Sequence, residues 1–224
     1  MAEAFDILWY ELAKEGKESA AFAPLARYPN TSFWMVQSMA GSSDFRNRKL
    51  GAMLAGWITD PKYLALLREM LQRERGIFAG DSLNANSVGE DIMFAATRWT
   101  ESEDSQTRSA GIDILAGMIR DALHGTPWNT VNWAIGNLHH ATQGKHEVFQ
   151  ELANATDSQM EGQKFLQNAV IALRQNDQHK LARLYTPPAT LSSLNPDDAG
   201  YSVVANLWMA AAQAEASINW EMQT

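Results

Sequence analysis

The chain contains no cysteine, which excludes disulfides, thiolate metal sites and a cysteine nucleophile. Positive charge is scarce. Eighteen Lys and Arg against 26 Asp and Glu leave a net charge of −8, the opposite of the basic coat that general nucleic-acid binding requires. Alternation of apolar and polar residues with period two is nowhere sustained, so no strand is expected. No phosphate-binding glycine loop, G-x-S-x-G elbow or H-E-x-x-H helix occurs. The opening Met1-Ala2-Glu3-Ala4-Phe5-Asp6 lacks the basic-then-apolar order of a secretory signal. Ala122–Gly144 and Ala199–Ala214 carry no Asp, Glu, Lys or Arg. The first is broken by His124-Gly125-Thr126-Pro127, and the second is shorter than the ~20 residues a spanning helix needs. A cytoplasmic chain without a membrane segment is therefore expected, in which the Asn154-Ala155-Thr156 sequon stays unmodified.

What is present is helical pattern. Apolar residues at 46% and charged residues at 20% of 224 positions are globular values, and the length suits one domain or a short repeat array. We expect a single all-α repeat-like domain over residues 1–224. At about 100° per residue, Tyr63, Leu64, Leu66, Leu67, Met70 and Leu71 share one arc, with Arg68, Glu69 and Gln72 opposite. Ile112, Leu115, Ile119 and Leu123 form a second stripe, and Val203, Val204, Leu207, Ala211, Ala214, Ile218 and Met222 a third. Ser87-Val88-Gly89-Glu90 and Ser158-Gln159-Met160-Glu161 fit the capping box, Thr126-Pro127 and Asn195-Pro196 place a cap before a first-turn proline, and Asp60-Pro61 breaks one helix and starts the next. The expected helices are 2–15, 31–40, 44–59, 61–75, 88–99, 105–123, 127–142, 145–155, 159–174, 178–185 and 196–222. Glycine- and asparagine-rich 76–87 and the segment 186–195 around Pro187-Pro188 are expected as loops. The other connections are short, so neighbouring helices should be antiparallel.

An internal echo points to repeats. Leu54-Ala55-Gly56-Trp57-Ile58 matches Leu115-Ala116-Gly117-Met118-Ile119 at a spacing of 61, each string ending a helix. Gly51, Gly56, Gly89, Gly111, Gly117, Gly136 and Gly162 fall inside expected helices, where each costs about 1 kcal/mol relative to alanine. Close helix–helix approach is the compensating gain. Asp44-Phe45-Arg46-Asn47-Arg48-Lys49-Leu50-Gly51-Ala52-Met53-Leu54-Ala55-Gly56, followed by Asp60-Pro61 and an amphipathic helix, resembles a helical hairpin of the HEAT-like, armadillo-type repeat proteins. Asp104-Ser105-Gln106-Thr107-Arg108-Ser109-Ala110 opens a similar unit. The resemblance covers about 43–75 and 104–155. It implies stacked antiparallel hairpins in a HEAT-like α-α superhelix that offers a surface to a protein or nucleic acid, and it assigns no catalytic residue.

The densest titratable cluster is His139-His140 with His146-Glu147. Adjacent helical residues diverge by ~100°, so the pair does not readily share a metal, and histidine is favoured at a helix C-terminus in any case. Asp121-x-x-His124 lacks the second copy that a di-iron bundle uses. Glu90-Asp91 and Asp197-Asp198 are expected in first turns, where acidic residues suit the dipole. No cofactor, metal or catalytic residue is assigned, and nothing argues for an enzyme.

The stronger candidate is a surface. From Pro127, Val131, Ile135 and Leu138 form the buried stripe of a helix, ending at Thr142, while Asn129, Trp133, Gly136, Asn137 and His140 fall together on the far side. A tryptophan among amides and histidine has the composition of a contact patch, although a neighbouring helix pair covering this face would also explain it. Residues 46–75 hold seven basic residues, Arg68 and Arg73 among them, against three acidic ones, a net of +4. Residues 184–224 hold four acidic residues and no basic one. Solvated helix faces account for both stretches nearly as well. The leading expectation is a non-enzymatic protein-interaction module, a scaffold or adaptor, that binds a partner protein through Asn129, Trp133, Asn137 and His140 with Arg68 and Arg73. Alternatives are an acidic inhibitor or immunity protein opposing a basic toxin, a HEAT-like DNA glycosylase, and a small-molecule enzyme.

Overall fold

A computed structural model of the chain describes residues 29–58 and 60–186. Among the described residues every regular element is an α-helix: α1 Pro29–Ala40, α2 Phe45–Trp57, α3 Pro61–Phe78, α4 Ser82–Thr100, α5 Ser105–Leu123, α6 Val131–Thr142, α7 Val148–Ala153, α8 Lys164–Arg174 and α9 Gln178–Ala182. None is long and apolar enough to cross a membrane. The helices expected over 2–15 and 196–222, the Asn195-Pro196 cap and the stripe ending at Met222 lie outside the described residues. Those described fall into two compact units, 29–66 and 67–186.

The stripe on α3 is buried as its periodicity requires, from Tyr63 to Leu71, with Arg68, Glu69 and Gln72 exposed. Asp60-Pro61 starts α3, where the Asp60 carboxylate accepts the Lys62 N–H at 3.0 Å. Three expected helix starts fall elsewhere. The loop 76–87 shrinks to a turn, because α3 continues to Phe78 and Asp81 caps α4 by accepting the Asn84 backbone and side-chain N–H groups at 3.3 and 2.7 Å. Ser87 and Glu90 are therefore interior to α4. Thr126-Pro127 does not start a helix: α6 begins at Val131, and the turn before it inserts Trp128 into the core at 1% exposure. The reciprocal cap near residue 158 forms two positions earlier, between Thr156 and Gln159. It closes only a turn, since Gln159 and Gln163 are bonded to the Leu123 and Ala122 carbonyls at the end of α5, and α8 waits until Lys164.

In the first unit α1 packs on α2. The approach is close at Gly51, where a Cβ would lie 3.1 Å from Ala40 N, 3.2 Å from Met39 Cβ and 3.4 Å from Val36 O. In the turn between the helices, Ser42 Oγ accepts the Asp44 N–H, the Asp44 carboxylate accepts the Arg46 N–H, and the buried Arg48 guanidinium donates to the Ser42 and Ser43 carbonyls. Phe33 of α1 meets Tyr63 edge-on at 5.3 Å.

In the second unit the α4–α5 hairpin is built in the same way, sixty positions on. A Cβ on Gly111 would lie 2.5 Å from Ala96 O, 3.0 Å from Thr100 N and 3.0 Å from Trp99 Cβ. Ser102 Oγ accepts the Asp104 N–H, the Asp104 carboxylate accepts the Thr107 N–H and hydroxyl, and Arg108 donates twice to the Ser102 carbonyl. The Thr107 bonds hold the Asp104 carboxyl below its usual range. Seven positions thus play matching parts: Val36 and Ala96, Met39 and Trp99, Ala40 and Thr100, Ser42 and Ser102, Asp44 and Asp104, Arg48 and Arg108, Gly51 and Gly111.

The LAG echo at spacing 61 is not that equivalence. Its first copy ends α2, whereas its second lies inside the longer α5. Contacts along the helices of the second unit fix their directions. Phe94, Thr97 and Glu101 of α4 and its C-cap meet Trp133, Asn137 and His140 of α6 in that order, so α4 and α6 run parallel. Arg68 and Arg75 of α3 pair in order with Asp113 and Asp121 of α5, so those helices are parallel too.

Candidate functional site

Helix α6 carries Trp133, Asn137 and His140, with Asn129 in the turn before it, and its sides divide as the apolar spacing requires. Val131, Ile135 and Leu138 are buried. On the opposite side the stripe splits into two halves. Toward the N-terminal end, Asn129 is exposed, and its backbone N–H is held by Asn86 Oδ1 at 2.8 Å. Trp133 is half-buried and stacks on Phe94 with 5.9 Å between ring centroids and 23° between planes. This half holds the half-buried Trp133 ring over the buried Phe94, with Asn129 exposed in the turn before the helix.

The other half is covered by the chain's own residues. Leu184 passes so close to Gly136 that a Cβ there would collide with the Leu184 backbone carbonyl group and Cβ. Asn137 is 1% exposed. Its Nδ2 donates to Thr97 Oγ1 at 2.7 Å and its Oδ1 accepts the Thr186 N–H at 2.7 Å. The amide is bonded at both ends within the chain, so Asn137 is an internal link and not the surface contact that the helical spacing suggested. His140 remains exposed, its ring stacked on Tyr185 at 4.0 Å and its Nε2 3.9 Å from Glu101.

Arg68 and Arg73 lie on α3, not with the α6 residues. Both are exposed, and Arg68 pairs with Asp113 at 2.9 Å. Other cations of the 46–75 stretch serve internal contacts: Arg48 holds the α1–α2 turn, and Arg75 donates to Asp121 at 2.7 Å. His139 and His146 have structural partners. His139 meets Phe149 edge-on at 5.6 Å, and burial first, then the neighbouring His140, holds its pKa below the ordinary value against an opposing hydrogen bond with Gln178. His146 Nδ1 accepts the Val148 N–H at the start of α7. Among the described residues no three His, Asp or Glu side chains converge as metal ligands would. Glu90 and Asp91 sit in the middle of α4, away from the first turn expected for them.

Several polar centres were not anticipated. Asp121 Oδ2 accepts from both Arg75 Nε at 2.7 Å and the Trp128 indole N–H at 3.1 Å. Trp128 fills the space over Gly89 and meets Phe78 edge-on at 5.2 Å. Arg120 donates to Glu151 through Nε and Nη2 and to Glu147 through Nη2, which holds the Glu151 carboxyl low. Apart from Asp121–Trp128, seven positions apart, these links join residues tens of positions apart, and nothing in local spacing announces them. An open cleft of about 490 Å³ beside the end of α5 is lined by His124, Ser158, Glu161 and Gln163 among others. Ser158 Oγ there is bonded to Thr156 Oγ1, an arrangement that pairs no nucleophile with a base. No protein-family description, no curated protein and no solved structure matches this chain.

Proposed function

We propose that the protein is a non-enzymatic interaction module, a scaffold or adaptor built from HEAT-like helical hairpins, which binds a partner protein through the α4–α6 face. The observation that carries this reading is the sixty-residue correspondence between the α1–α2 and α4–α5 hairpins, in which a serine, an aspartate cap, an arginine bonded back to the turn carbonyls and a close glycine approach recur at matching positions. Repeated hairpins with alternate helices parallel are the building plan of helical repeat proteins, whose faces serve as extended contact surfaces. Trp133, half-buried and backed by Phe94, with Asn129 exposed in the turn before α6, supplies an aromatic anchor and a polar neighbour, the composition of a binding hot spot.

The test is capture of partners from native host lysate by tagged full-length protein and by the Trp133→Ala/His140→Ala variant, at low and high salt. The reading expects a stoichiometric protein retained by the wild type and lost from the variant, with thermal unfolding of the variant still cooperative. Identical retention by both proteins would reject this face. A basic partner released at high salt would identify the inhibitor version of the same module.

A further inference from the structure

The covered half of the α6 stripe has the character of an occupied binding site. Its floor is Gly136, bare enough for a backbone to lie against it, flanked by Asn137 and His140. The occupant, Leu184–Thr186, belongs to no helix and touches this floor in three ways. The Leu184 backbone and Cβ rest on Gly136, the Tyr185 ring stacks on His140, and the Thr186 N–H reaches Asn137 Oδ1. Tyr185 also donates a long 3.4 Å bond to Glu101. All three occupant residues are partly exposed. The helix before them, α9, has only five residues, too short to hold itself.

The acceptor is fixed in place independently of its occupant. Asn137 Nδ2 is committed to Thr97 Oγ1, which itself donates to the Met93 carbonyl. That leaves Oδ1 as the end that meets the occupant, since an amide oxygen accepts and its nitrogen donates.

We propose that this strip is the peptide-binding site of the module, that Leu184–Thr186 fill it in cis, and that the partner contributes an extended segment with the same chemistry. Such a segment lays its backbone on Gly136, stacks an aromatic side chain on His140, and on the next residue offers a backbone N–H to Asn137 Oδ1. The inference rests on the interaction-module reading and specifies its ligand. A tethered occupant acts at an effective concentration in the millimolar range, so the closed chain binds an external segment more weakly than a chain whose tether contacts are lost.

The probe is a fluorescein-labelled, amidated synthetic peptide with the sequence Gln178–Thr186, titrated by anisotropy into full-length protein. In Tyr185→Ala/Thr186→Pro the tethered segment lacks both the ring and the N–H donor. That variant is expected to bind the peptide at least tenfold more tightly than wild type. Adding Gly136→Ala should abolish the gain. Peptides carrying Tyr185→Ala or an N-methyl group at Thr186 should lose it equally, and they read the same contacts without altering the protein's fold. Equal binding by wild type and the opened variant would overturn the proposal, as would binding that survives both peptide changes. If the peptide binds as expected while lysate yields no partner, the adaptor reading fails and the site stands. If a partner is captured but the peptide is ignored, the site fails and the adaptor reading stands.

Discussion

The side chains of Asn137 and Thr97, forty positions apart, meet at 2.7 Å in the buried seam between α6 and α4. The contact links the fold to its candidate site, because the opposite end of the same amide holds Thr186. Asn137→Ala should destabilise the protein by about 2 kcal/mol, the usual consequence of leaving buried polar partners unsatisfied. Denaturant unfolding checks the magnitude, and hydrogen exchange at the Thr186 amide should accelerate in parallel.

The two ion pairs between α3 and α5 predict unequal sensitivities. Arg68–Asp113 is half-exposed on both sides, whereas the Asp121 side chain is 15% exposed and also serves the Trp128 indole. Asp113→Ala should cost less than about 1 kcal/mol. Asp121→Ala strands a buried indole N–H beside an arginine and should cost about 3 kcal/mol. Equal losses on chemical denaturation would contradict this assignment.

Glycine-to-alanine changes should have opposite signs in two helices. At Gly76 nothing lies within 4 Å of an added Cβ, so Gly76→Ala should stabilise by up to about 1 kcal/mol through helix propensity alone. At Gly111 the added methyl meets backbone of α4, and Gly111→Ala should destabilise by about 2 kcal/mol or more as the hairpin is forced apart. Thermal melts of the two variants bracket the wild type if the close approach is real. At Gly51, its counterpart, the nearest atoms are 3.1 Å or more from an added Cβ, so Gly51→Ala should change stability less than Gly111→Ala does.

Acid should weaken the fold through His139. Burial and His140 lower its folded pKa below the ordinary 6.5, so the unfolded chain takes up the proton first as pH falls. Stability through this group is full above about pH 6.5 and declines as pH drops toward the folded pKa. His139→Phe, which keeps a ring against Phe149, should remove that part of the decline. The comparison is the difference in Tm between wild type and variant from pH 7.5 to pH 5; a difference independent of pH would contradict the assignment.

The sequence carried the one-sided burial of α3 in full, because Tyr63 to Leu71 obey a helical period that depends on no distant residue. It also showed the two Asp-to-Arg openings at Asp44 and Asp104. The sixty-residue equivalence stayed hidden because only Ser, Asp, Arg and Gly recur at its matched sites, while the more conspicuous LAG match sits one position out of step in a longer helix. Asn137 was misplaced for a related reason. A helical wheel shows which side of α6 it occupies but not that a segment reaching Thr186 crosses that side. Trp128 was concealed by Pro127, a plausible first helical residue that instead belongs to the turn inserting the indole.

The account's central claim, a protein-binding face on α4 and α6, is tested most directly by site-specific photo-crosslinking in native lysate. The photoreactive residue is placed at Asn129, exposed in the turn that leads into α6, and in a second protein at Glu161, exposed on the 156–163 turn. The account predicts one protein adduct from position 129 that is absent from position 161 and is lost when Trp133 is also alanine. No adduct at position 129, or the same adducts from both positions, would contradict it.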